Sequence, residues 1–207
     1  MAERIGNERL GAFCDAIFAI AITLLVLEIH VPEIDAIGPG APLGSVLAAE
    51  WPSWFAVLLT FLTLFIAWTN HHHALAQLGR TSSAFIYANG LLMLSVVISP
   101  FAAGVLGKFL DTESAKTAII FYCFANLFQN LGWVAVFHVA ARSPLAKGPV
   151  QQQRIESNAR VVTFTFAMNL AILALAFYLP IVALILVTGA WLFYLYAGLF
   201  WTPIGRD

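Results

Sequence analysis

The sequence predicts an all-α membrane protein with six transmembrane helices. The chain has too few charged residues to cover a globular surface, and it contains six separate apolar runs long enough to cross a bilayer. Of its 207 residues, 61% are hydrophobic and 10% charged, whereas a soluble domain is about 45–50% apolar and about 25% charged. A span needs roughly 20 predominantly apolar residues. Runs of that kind lie at about 9–30, 52–77, 84–106, 115–141, 158–178 and 181–201. They make 1–207 a single six-helix unit, with no second domain expected. A net charge of -1 supplies no basic patch for nucleic acid, so none is expected as a partner. Cys14 and Cys123 sit inside apolar runs, which argues against a disulfide framework.

The first run contains "ERLGAFCDAIFAIAITLLVLE", Glu8 to Glu28. It is too long for the apolar part of a signal peptide, is preceded by acids, and lacks a small-residue cleavage site. Arg9, Asp15 and Glu28 interrupt it. A buried unpaired ion costs several kcal/mol or more, so these charges need partners or a job. The Pro- and Gly-rich "HVPEIDAIGPGAPLGSVLAAEWP" that follows carries acids but no Lys or Arg, and reads as an external loop. In the third run, Pro100 is a candidate break near the helix end. "RSPLAKGPVQQQRIESNAR" reads as a polar internal linker. The fifth and sixth runs meet at "FYLPIV", where Pro180 forces a tight hairpin.

Orientation follows from positive charge. One side holds Arg4, Arg9, Arg80, Arg142, Lys147, Arg154, Arg160 and Arg206, and the other only Lys108 and Lys116. Both termini are therefore expected in the cytoplasm.

At 100° per residue, Phe13, Ile20 and Leu27 stack on one stripe of the first helix, flanked by Thr23 and Leu24. Asp15 lies roughly 140° from Ile20, on another face. The stripe alone is equally compatible with lipid contact or ordinary packing, and Arg9 alone with a snorkelling anchor. Asp15, about two turns in, calls for a polar partner or a water path. Candidates are Trp68, Asn70, His71, His72 and His73 near the end of the second run, on the same side of the membrane. Three consecutive histidines point about 100° apart and cannot all ligate one ion from one face. A polar cluster joining the first two helices is the expectation, with no metal, cofactor or catalytic residue.

Taken together, these residues resemble the transmembrane protein 175 family of lysosomal potassium channels and their bacterial homologues. Arg9, Phe13, Cys14 and Asp15 are similar to its R-x-x-x-F-S-D signature, with Cys14 in place of the usual serine. Trp68 and His71 match its W-x-x-H element. Asn89 in "YANGLLML" and "SPF" at 99–101 fit its third helix. Acids often follow the basic residue after the second helix in the family, but here Arg80 is followed by "TSS". A thiol is a poorer hydrogen-bonding group than a hydroxyl, so a looser cluster is expected.

The resemblance implies a homotetramer of six-helix subunits in a bacterial inner membrane, with the first helices lining a central pore. It implies a narrow apolar constriction at Ile20, with Thr23 and Leu27 on later turns, and a packing network of Arg9, Phe13, Cys14, Asp15, Trp68, His71 and Asn89. Glu28 is then an external-mouth carboxylate, a solvated helix-end acid or an interhelical partner. An apolar ring can gate ions by dewetting but selects weakly among them. A cation channel with modest preference for potassium over sodium is expected. The rivals are a secondary transporter, which would show broken helices and repeated halves, and a proton conductor using Asp15 and His71. A membrane metalloenzyme resting on His71–His73 is the remaining alternative.

Overall fold

The computed structural model describes residues 2–29 and 42–200, with side chains described for 7–29 and 42–197. The first half of the expected external loop, the end of the last run and Arg206 lie outside the described residues, as does the side chain of Arg4. The elements are α1 (Ala2–Leu24), a 3₁₀ turn (Leu25–Glu28), α2 (Leu43–Ala49), α3 (Trp51–Ala76), α4 (Ser83–Phe109), α5 (Ala115–Arg142), α6 (Pro149–Ala176) and α7 (Pro180–Phe200). All except the short α2 and the 3₁₀ turn contain a stretch long and apolar enough to span the membrane. The chain is thus an integral membrane protein of six helical spans.

Three local expectations are corrected. The expected polar linker does not stay irregular, because α6 begins at Pro149 and takes in "PVQQQRIESNAR". Proline at the first helical position sets the helical φ without losing a needed hydrogen bond. Ile155 and Ala159 then bury one side of this water-facing extension against the core. Likewise, α4 passes through Pro100 unbroken. The neighbouring turns are reinforced by Ser99 Oγ donating to the Ser95 carbonyl at 2.9 Å and Ser95 Oγ to that of Leu92 at 2.6 Å. The sequence reading also lacked α2, a seven-residue helix with no buried residue. At the hairpin the expectation holds: α6 ends at Ala176 and α7 starts on Pro180.

In lipid, helix pairs gain little from apolar burial and rely on close packing and interhelical hydrogen bonds. Helices α4 and α5 form the central pair, and Gly132 permits their approach. A Cβ there would lie 2.7 Å from the Leu92 Cα. Gly107 similarly lets α4 approach Ser53 on α3. Inside the bundle, two pairs of polar side chains bond across helices. Thr60 and the Tyr122 hydroxyl share a hydrogen bond of 3.1 Å, and Trp191 Nε1 on α7 donates to Asn126 Oδ1 on α5 at 3.0 Å. Against this core, α1 is laid along one edge, touching α3 and α4.

Candidate functional site

The inner stripe of α1 is built from Leu10, Cys14, Phe18 and Ala21, continued by Leu25 in the 3₁₀ turn. Their spacing of three and four residues gives one continuous face on a helix. Cys14 is fully buried, so the thiol serves here as a small packing group. Phe18 covers His71 on α3, with ring centroids 5.8 Å apart. Trp133 of α5 also lies against His71, with ring centroids 6.3 Å apart.

His71 is 1% exposed, and its Nε2 lies 2.9 Å from Asn89 Oδ1. Asn89 Nδ2 donates to the Phe85 carbonyl, so its oxygen is the acceptor and His71 Nε2 carries the proton. His71 Nδ1 is buried and has no partner among the described residues. Asp15 takes a different partner: its Oδ1 accepts a 2.9 Å hydrogen bond from Trp68 Nε1. Within the network, Asp15 and His71 thus take different partners in two adjoining locks, one at the rim (Asp15–Trp68) and one inside (Cys14, Phe18, His71, Asn89). The division is angular. Cys14 and Asp15 are adjacent and so about 100° apart on the helix.

Phe13 is 60% exposed and lies outside both locks on the single protomer. Its helical position puts it on the outer stripe. Arg9 is exposed as well. The three histidines diverge as their spacing requires: His71 is buried, while His72 faces Trp68 and His73 lines a separate cavity of about 290 Å³. Among the described residues no three His, Cys, Asp or Glu side chains gather closely enough to hold a metal.

The outer stripe is bare. Ile20 is 59%, Leu24 43% and Leu27 70% exposed. The 3₁₀ turn sharpens its geometry, because rotation rises from about 100° to about 120° per residue there. Leu27 therefore turns to lie almost directly above Leu24, with both about 40° from Ile20. Thr23 is exposed, and its hydroxyl donates to the Ile20 carbonyl at 2.9 Å, leaving only acceptor lone pairs outward. Glu28 is half-buried, and its carboxylate occupies the space a Cβ would take at Gly104 of α4. Of its three readings, that position fits the interhelical one.

Sequence reasoning missed Phe18 and Trp133, the two rings that enclose His71. The Cys14–Phe18 spacing of four residues placed Phe18 beside the buried thiol. Nothing local pointed to Trp133, which α5 brings from far along the chain.

The fold and site define a helical membrane protein whose first span is fastened along one stripe and bare along the other. Comparison with known proteins then places it. The family model described as endosomal/lysosomal potassium channel TMEM175 matches residues 9–100. A potassium channel of Chamaesiphon minutus is 35% identical over 183 residues, which is 84% of this chain and 86% of that protein. One of Streptomyces collinus is 37% identical over 131 residues, 60% of this chain and 62% of its own length. The endosomal/lysosomal proton channel TMEM175 of Homo sapiens is 27% identical over 149 residues, and the match spans 30% of that protein. The crystal structure of a lysosomal potassium-selective channel TMEM175 homolog from Chamaesiphon minutus superposes with a TM-score of 0.83 at 29% identity, over 92% of this chain and 97% of that one. This chain belongs to the TMEM175 family.

Proposed function

We propose that the chain is one subunit of a potassium-permeable cation channel, a homotetramer in which four copies of α1 surround the axis. The bare outer stripe of α1 carries this reading. Ile20, Thr23, Leu24 and Leu27 are exposed on the protomer while the opposite stripe is locked to α3 and α4. One such helix per chain cannot enclose a path, so closed symmetry must supply the others. The relatives named as potassium channels support the choice of ion.

In this assembly Ile20 forms the constriction. A ring of isoleucines strips water from an ion and returns no ligand, so it conducts only when wide enough to stay wet. The Thr23 oxygens, their protons held by Ile20 carbonyls, offer a modest cation-attracting ring next to it. Asp15 and His71 hold α1 in place and do not line the path. Both termini are cytoplasmic, the membrane is a bacterial inner membrane, and no catalytic step is assigned.

Planar-bilayer recordings of purified protein in opposed potassium and sodium gradients test the proposal. Unitary currents reversing toward the potassium equilibrium potential are expected. Saturable coupled flux without unitary events would instead establish a transporter, a reading weakened by the unbroken α4. Proton conduction is a second reading, favoured by the likeness to the human endosomal/lysosomal proton channel and by the exposed Asp15. Acidification of dye-loaded liposomes at zero potassium gradient, lost in Asp15→Asn, would support it.

A further inference from the structure

We propose that a groove at the arginine-rich end of the bundle binds a phosphate-bearing anion, supplied either as an anionic phospholipid headgroup or as free phosphate. The groove has a volume of about 560 Å³ and lies between Arg80, which follows α3, and the α5–α6 connection. Arg142, Ser143, Gly148 and Gln152 complete its walls.

Two arginines line this concavity, and no Asp or Glu does. Arg80 Nε donates to the Pro144 carbonyl at 2.6 Å. That bond holds the planar group in place and leaves its other four N–H donors without partners among the described residues. Arg142 closes the opposite wall from the last turn of α5. Guanidinium forks, here one of them held in place by the Pro144 carbonyl, match the oxygens of a phosphate better than flexible ammonium groups do. The first turn of the 28-residue α6 opens on the same groove, and Gly148 supplies no side-chain cap. The amides of Val150 and Gln151 have no acceptor within the helix, and the dipole there favours negative charge. Glu156, one turn beyond Gln152, accepts from Gln152 Nε2 at 2.9 Å and is not part of the wall.

The backbone beneath the groove is rigid. Gly79 N donates to the Leu145 carbonyl at 2.8 Å, and Lys147 N to that of Gln77 at 3.0 Å. Leu78 and Ala146 form a bridge between the two connections, and Leu78 and Leu145 are each 3% exposed. The residues carrying Arg80 and Arg142 are thus fixed relative to one another before any ligand arrives, which lowers the cost of binding. The groove sits where α3 and α5 end and α6 begins, the depth of headgroups on the side where basic residues accumulate. The start of α1 also rests on this clamp, since Asn7 Nδ2 donates to the Leu78 carbonyl at 3.2 Å, but neither arginine takes part in that contact.

The full-length protein in mild detergent tests the proposal. Thermal midpoint and bound lipid, by native mass spectrometry, are measured with phosphatidylglycerol, phosphatidylcholine and inorganic phosphate at matched ionic strength. Phosphatidylglycerol should be retained and should raise the midpoint more than phosphatidylcholine. Arg142→Gln should weaken that response about tenfold, the scale of one lost charge-assisted contact. Lys147→Gln, at the same end but outside the groove, should change it less than about twofold. Arg142→Lys retains charge without the fork and should fall between, which gives a reading even if Arg142→Gln folds poorly. Protection by inorganic phosphate equal to that by phosphatidylglycerol identifies the free anion as the source, and protection by the lipid alone identifies the headgroup. Equal losses in Arg142→Gln and Lys147→Gln, or no response to either phosphate source, overturn the site.

Discussion

Helices α1 and α7 are both edge spans: only 22% of the apolar window of α1 and 17% of that of α7 are buried within the protomer. Their exposed faces nevertheless differ in kind. The outer face of α7 presents Ile181, Ile185, Leu186, Leu192 and Phe193, which lipid solvates without cost. The outer side of α1 presents Ile20, Leu24 and Leu27 together with Thr23, and on another face the exposed carboxylate of Asp15 sits at the rim beside Trp68. A carboxylate at that depth is costly against hydrocarbon and is tolerated against water or protein. Exposure on one protomer therefore has two meanings. On α7 it suits lipid, and on α1 it suits other copies of the chain and a hydrated axis.

The largest expected effect separates these two faces directly. Ile20→Asn should raise potassium current at least about tenfold, equivalent to roughly 1.4 kcal/mol of barrier, and weaken selectivity. Ile185→Asn, equally exposed but on α7, should leave unitary conductance unchanged and reduce only the yield of inserted protein. Ile22→Asn, packed against the core, should act through folding. Leu27→Asn should follow Ile20→Asn more weakly. Recordings on assemblies matched for amount decide the matter, and equal gains in Ile20→Asn and Ile185→Asn would erase the distinction between the helices.

A smaller effect probes how α1 is fastened. Asp15→Ala and Trp68→Phe each remove the same 2.9 Å bond and should each cost about 1.5–3 kcal/mol, the range for a hydrogen bond to a charged group, whereas Asp15→Asn keeps an acceptor oxygen and should cost less. The double variant should cost little more than either single one, because the partners share one interaction. Thermal unfolding and native mass spectrometry report the cost and the assembly state. Ion preference in surviving channels should be unchanged, and its loss in well-assembled Asp15→Asn would move Asp15 into the path.

The smallest effects compare glycines. Gly132→Ala forces a methyl against the Leu92 backbone and should destabilise by about 1–3 kcal/mol, the usual cost of overpacking. Gly189→Ala on α7 meets nothing within 4 Å and should stabilise its helix by up to about 1 kcal/mol. Thermal midpoints moving together would mean that α7 is packed more tightly than its exposure implies.

The amino-acid sequence alone determined the six spans, the hairpin at Pro180 and the family signature. Span formation depends on length and hydropathy within one segment, because a backbone in lipid must satisfy its own hydrogen bonds. That Ile20, Thr23 and Leu27 share one side of the helix was legible for a related reason, because helical periodicity keeps them together, but which way that side faces was not. Polar pairing was not legible. Asp15 had Trp68 and His71 as candidates, three residues apart on one helix, and only the rotation of α1 against α3 gave it Trp68. That same rotation buried Cys14 and left His71 to Asn89 and the rings of Phe18 and Trp133. Nor did the sequence show that "TSS" after Arg80 ends in the cap of α4, where Ser82 Oγ accepts from Phe85 N at 3.2 Å. Arg80 itself is held by a carbonyl 64 residues further along the chain. Such contacts join segments that no local pattern relates, so their geometry is decided when the helices pack.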